Sequence, residues 1–164
     1  MHFSLFPRIP CLSRFSPGQL IPSRGFSLQR PVFLRIVRAS AWYDLLVTAA
    51  FFTPWSFALV HRQLSALNVA LGGLALPPFG VLHTLFCCLM GSLVLVWSLL
   101  RLRQASVTLG RYDAAARLLF ALWMGWALMA SGAPVLWLFF IPECGWALVQ
   151  GLPVTTSGGG GGGS

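Results

Sequence analysis

The chain contains three acidic residues, Asp44, Asp113 and Glu143. Glu143 stands out because it lies inside LWLFFIPECGWALVQ, residues 136–150, directly after Pro142. A carboxylate in so apolar a run costs roughly 2.5–3.5 kcal/mol if the run crosses a bilayer, so it needs a partner. Arg117 is the nearest candidate in depth, but Asp113 competes for it from four residues earlier on the same helix face. With Arg117 taken, Glu143 is left to be protonated and bonded to Ser92, Ser98 or a Trp N–H. Three roles are open to it: a packing contact within the protein, a contact to a partner protein, or proton and ligand chemistry. Pro142 adds a freed backbone carbonyl at the same depth. Asp44 neighbours Arg38, and Asp113 neighbours Arg111 and Arg117. Both acids also fall near expected helix N-termini, where the helix dipole favours them.

A second constellation is His83, Cys87 and Met90, at i, i+4 and i+7 of one apolar run. Imidazole, thiolate and thioether on one helix face suit copper or another soft metal. The plainer reading is that Cys and Met fill space and His83 ends the helix. His61 and His83 are a conceivable haem pair, though nothing fixes a macrocycle between them. No nucleotide-binding loop, catalytic triad or zinc motif is present, so the chain is read as non-enzymatic, with no cofactor and no metal. Cys11, Cys87, Cys88 and Cys144 form no disulfide framework and are expected as buried free thiols.

Elements that position these residues follow from composition. The 164 residues are 57% hydrophobic and 9% charged, with mean hydropathy +0.78. A soluble domain carries about 25% charged residues, so the solvent of this chain is expected to be lipid. Four apolar segments, 42–60, 79–100, 114–130 and 133–152, each approach the ~20 residues needed to cross a bilayer. Pro54 is expected to kink the first. Between segments one and two, Leu64, Leu67 and Leu71 recur at helical spacing before Gly72-Gly73, as in a short amphipathic helix on the outer surface. The fold class expected is an all-α membrane protein, a four-helix transmembrane bundle over residues 41–154.

Charge sets the orientation. All eleven cations are Arg, which suggests a GC-rich bacterial coding sequence. Arg8, Arg14, Arg24, Arg30, Arg35 and Arg38 precede the first segment, and Arg101, Arg103 and Arg111 lie in the expected 101–113 loop. Basic loops stay cytoplasmic, which places both termini inside. Residues 1–40, with five prolines, read as a mostly disordered basic arm, and residues 155–164 as an engineered Gly/Ser linker. Arginines beside apolar spans point to anionic lipid headgroups and not to nucleic acid.

At YDLLVTAAFFTPW, LFCCLMGSLVLVWSLLRL and GRYDAAARLLFALWMGWAL the chain resembles small four-helix inner-membrane proteins of proteobacteria, and is similar in size and topology to the DoxX-like group. The resemblance implies a multi-pass protein of the bacterial inner membrane and carries no residue roles. The Arg- and Ser-rich arm leaves the mitochondrial inner membrane as an alternative. Short loops and much lipid-facing surface suggest an accessory or assembly subunit, with other integral membrane proteins as partners. The alternative is a small transport or redox protein handling protons, quinone or a soft metal through Glu143 and the His83 face.

Overall fold

The computed structural model describes residues 27–155, which are mostly helical. Most of the expected arm, residues 1–26, and the Gly/Ser tail from 156 onward lie outside the described residues. The remainder of that arm is not irregular. Helix α1 spans Arg30–Thr48 with Pro31 in its first turn, where the missing N–H has no helical partner to lose. Phe33, Val37, Ser40, Ala41 and Asp44 are buried, a three- and four-residue spacing that defines one face. Arg30, Arg35 and Arg38 stay exposed on the other side.

The segment expected to span 42–60 with a kink at Pro54 is divided. A 3-10 turn, Ala49–Phe51, follows α1, and the chain then bends by 98° into α2, Pro54–Ala70. The cause is local. Thr53 precedes a proline, which pushes it out of the helical region, and it sits at φ −129°, ψ 154°. Its hydroxyl accepts the Ser56 N–H at 3.2 Å while Ser56 Oγ accepts the Thr53 N–H at 3.2 Å. This reciprocal capping starts a new helix with Pro54 as first residue, so the proline breaks the segment and does not merely kink it. Leu64 and Leu67 therefore belong to α2, and Leu71 is its C-terminal cap.

Helix α3 spans Val81–Arg103 and α4 spans Val107–Ser131. The expected 101–113 loop shrinks to residues 104–106. Ser106 caps α4 by accepting the Leu109 N–H at 3.1 Å, so Arg111, Tyr112 and Asp113 are helical. Gly110, which reads as a loop signal, is instead a close-packing position. A Cβ there would lie 2.6 Å from Val37 Cγ2 and 2.7 Å from Phe33 Cε1 of α1. A 3-10 turn, Pro134–Leu136, leads to α5, Trp137–Gly151, which contains Pro142. The two-residue strands β1 (Leu28–Gln29) and β2 (Val154–Thr155) pair in parallel and tie the start of α1 to the end of α5.

α3 and α4 are long and apolar enough to cross a membrane, and a third span is reached only if the bent α1–α2 pair counts as one. The fifteen residues of α5 rise about 22 Å, short of the ~30 Å of hydrocarbon. Outward-facing Leu85, Leu89 and Val96 on α3, and Leu118, Leu122, Trp126 and Met129 on α4, form an apolar exterior. α3 packs along α1, and α4 packs along α5. Yet the backbones of α3 and α4, consecutive and joined by three residues, hardly approach each other.

Candidate functional site

All three carboxylates of the chain meet on one guanidinium. Arg117, one per cent exposed, donates from Nε to Asp113 Oδ2 at 3.0 Å, from Nη1 to Glu143 Oε2 at 2.8 Å and from Nη2 to Asp44 Oδ2 at 2.6 Å. Asp113 reaches Arg117 by the four-residue spacing within α4, Asp44 comes from α1 and Glu143 from α5. The two partners that compete for Arg117 in the sequence are thus held simultaneously, because a guanidinium presents five N–H groups in a planar fork. Arg38, the sequence neighbour of Asp44, is exposed and takes no part. Arg111 also turns away from Asp113. It donates to the backbone carbonyls of Gln150 (2.9 Å) and Leu152 (2.7 Å), satisfying the end of α5.

A second arginine completes the cluster, and it is the one that sequence reasoning misplaced. Arg101, in the last turn of α3, is fully buried. It donates from Nη1 to Asp113 Oδ2 and Ser40 Oγ, and from Nη2 to Asp44 Oδ2 and Ser98 Oγ. Next to Arg103 at the end of an apolar run, it reads as a juxtamembrane charge. Its burial follows from the early start of α4, which brings Asp113 beside it. Trp97 joins the cluster from α3: its Nε1–H donates to Asp113 Oδ1 at 3.0 Å, and its ring lies 5.8 Å from the Arg101 guanidinium. Gln150 Nε2 donates to Ser40 Oγ at 2.6 Å, closing the cluster on the α5 side. Ser40 and Gln150 carried no signal in the sequence, since a lone Ser or Gln has no spacing that marks it, and Ser98, a candidate partner for Glu143, accepts from Arg101 instead.

The ionic cluster forms the floor of a cleft of about 1040 Å³ between α3 and α4, backed by α1. Its walls are apolar and aromatic, with Tyr43, Phe86, Met90, Trp97, Phe120 and Trp123 among them. The cleft exists because α3 and α4 diverge after their short connection while each follows a different neighbour. Gly91 helps hold α3 against the turn after α1, since a Cβ there would lie 2.6 Å from the Phe51 carbonyl oxygen.

The His83 face divides. Cys87 and Met90 line the cleft, while His83 is exposed and stacks edge-on against Phe79 with ring centres 6.1 Å apart. Phe79 is also edge-on to His61 at 5.0 Å, so it packs against both histidines of the haem reading. His61 Nε2 further lies 3.1 Å from the Pro77 carbonyl oxygen. Among the described residues no group of three or more His, Cys, Asp and Glu is placed to hold a metal ion. Cys87, Cys88 and Cys144 are free and partly exposed, where full burial was expected.

Fold and site together define a small helical protein with two helices, or up to three spans, fit to cross a membrane, and with an ionic cluster buried among them. No protein-family model, no curated protein and no solved structure matches the chain.

Proposed function

We propose that the chain is a small multi-pass protein of the bacterial inner membrane that binds an amphipathic molecule between α3 and α4 and carries it across or along the bilayer. The observation that carries this reading is a cleft of about 1040 Å³ whose walls are apolar and whose floor holds every acidic residue of the chain. That volume is at the upper end of the roughly 300–1,000 Å³ of small-molecule sites. Exchanging a buried ion-pair network for apolar residues of similar volume is commonly neutral or stabilising, so stability alone does not account for four buried charges and a fifth, Glu143, that is partly buried. The carboxylates are all paired with arginines, which leaves none free as a general base and favours binding over catalysis.

In this reading the cluster lies toward the cytoplasmic side. Exposed Arg30, Arg35, Arg38 and Arg103 meet anionic headgroups there, with both chain ends on that side. α3 and α4 cross fully, and α1, α2 and α5 complete a bundle of four apolar segments.

The test uses the full chain in lipid nanodiscs. Trp97 and Trp123 line the cleft, so a hydrophobic ligand should change their fluorescence saturably, at one molecule per chain. Val94→Trp, which fills the cleft from α3, should abolish that binding. Absence of a saturable change in the wild type sinks the reading. An accessory subunit is the second reading, favoured by the apolar strip Leu118, Leu122, Trp126 and Met129 on the outside of α4. It predicts a co-purifying membrane protein lost on Leu122→Arg and indifferent to Val94→Trp.

A further inference from the structure

We propose that the occupant of the cleft is a hydrophobic monocation, an amphipathic ammonium or comparable onium, seated against Asp44 and Glu143. This rests on the cleft being a ligand site and adds the chemical class of the ligand.

Three observations converge. The first is charge. Two guanidinium groups face three carboxylates in the cluster, a formal excess of one negative charge, and among the described residues no arginine or histidine besides Arg117 lines the cleft. The second is which groups the cleft can reach. The side chains of Arg101 and Arg117 are 0% and 1% exposed, against 10% for Asp44 and 13% for Glu143. The arginines are more covered than Asp44 and Glu143, so the polar surface presented to a ligand is mainly anionic.

The third is hydrogen bonding. Asp44 bonds both arginines through Oδ2 and Glu143 bonds Arg117 through Oε2. Oδ1 of Asp44 and Oε1 of Glu143 accept no hydrogen bond from the described residues, although Asp44 is only 8% exposed and lines the cleft. Neither oxygen is sealed off by protein, so each is open to a cationic or N–H-bearing head seated in the cleft. The walls suit the same head. Tyr43, Trp97, Tyr112 and Trp123 offer π faces, which attract cations, and the apolar remainder takes hydrocarbon. An anionic ligand meets the opposite conditions, because its charge would face carboxylates, while Arg101 lies outside the lining and Arg117, which does line the cleft, is only 1% exposed.

The proposal is tested with probes of near-identical shape and different charge, using the full chain in nanodiscs of uncharged lipid with empty nanodiscs as the blank. Tetraphenylphosphonium, neutral triphenylphosphine oxide and tetraphenylborate are titrated and displaceable binding is counted. The cation should bind at one per chain, at least roughly tenfold tighter than the neutral probe, and the borate should show no saturable binding. Glu143→Gln should remove most of the preference for the cation while leaving the neutral probe's affinity within about twofold. Equal or tighter binding of the neutral or anionic probe overturns the ligand class and keeps the cleft as a site. An unchanged preference in Glu143→Gln also overturns it. Absence of saturable binding by all three probes overturns the cleft reading as well. The wild-type comparison needs no variant, so a misfolded Glu143→Gln leaves the test intact.

Discussion

Two polar nodes hold this apolar molecule, and they are built on opposite principles. One is Asn68, at the end of α2 and one per cent exposed. Its Nδ2 donates to the Leu74 carbonyl at 2.7 Å, its Oδ1 accepts the Val135 N–H at 3.0 Å, and its own carbonyl accepts the Gly73 N–H at 2.8 Å. It is neutral, bonded to backbone, and closed on itself. It ties the loop after α2 to the turn before α5, a connection needing one correctly placed amide and no charge. The other node is the ionic cluster at the opposite end of α3. It joins α1, α3, α4 and α5 through five charges, carries one carboxylate too many, and leaves two carboxylate oxygens unbonded beside a cleft. The comparison separates what a fold needs from what it does not. A satisfied neutral node is enough to lock elements together, so the surplus at the other end points to a ligand.

The largest effect that breaks this comparison is expected from Arg117→Met. Removing one partner of a buried ionic network strands the others: Asp44 and Asp113 would keep Arg101, Glu143 would lose its arginine, and the loss should be about 3–5 kcal/mol. Denaturant unfolding in mild detergent, followed by circular dichroism, should show it. Adding Glu143→Gln and Asp44→Asn to Arg117→Met should recover part of the loss, since the stranded charges are what cost. If the triple variant is no more stable than the single one, the network is held by packing and the contrast drawn above fails.

Asn68→Leu comes next. It orphans the Leu74 carbonyl and the Val135 N–H, each a buried backbone group, and should destabilise by about 1–3 kcal/mol. Ligand binding in the cleft should be unaffected, because this node lies outside it. A change in probe affinity that exceeds the change in stability would show that the two nodes are coupled.

Gly110→Ala bears on how the cluster is assembled. The added methyl would collide with Phe33 and Val37, forcing α4 off α1 at a cost of about 1–3 kcal/mol. Because Asp113 and Arg117 lie on α4 and Asp44 on α1, the displacement should also weaken probe binding. Gly125→Ala, on the same helix but 3.5 Å from the nearest atom, should do neither.

These positions show what a sequence conveys about such a molecule. α3 is plain from its uninterrupted apolar run, since length and hydropathy alone define it. The depth match of Glu143 and Arg117 is also visible, and the structure joins them. The break at Thr53-Pro54 had a signal that was undervalued: Thr-Pro-x-Ser is a helix start as well as a kink. Gly110 misled in the other direction, because a glycine among polar residues reads as a loop when the partner face that requires it is unknown. Arg101 is the hardest case. An arginine ending an apolar helix beside another arginine looks like a headgroup anchor, and only the three-dimensional arrival of Asp44 and Asp113 makes it a buried residue. Local periodicity carries helix identity. Burial of a charge depends on partners 12 and 57 residues away and leaves no local trace.

The smallest stability effect is the most discriminating. Glu143→Gln keeps an amide oxygen for Arg117 Nη1 and removes the surplus negative charge, so the lost charge-assisted bond and the relieved repulsion oppose each other. Unfolding should shift by no more than about 1 kcal/mol, the size of a neutral hydrogen bond. Probe binding should nevertheless lose its preference for the cation. Asn68→Leu predicts the reverse, a stability loss with binding intact. Measured side by side in one lipid system, the two variants make a double dissociation that neither protein concentration nor partial unfolding can imitate. If Glu143→Gln instead unfolds the protein as severely as Arg117→Met, the third carboxylate is part of the scaffold, and the two nodes differ in strength alone.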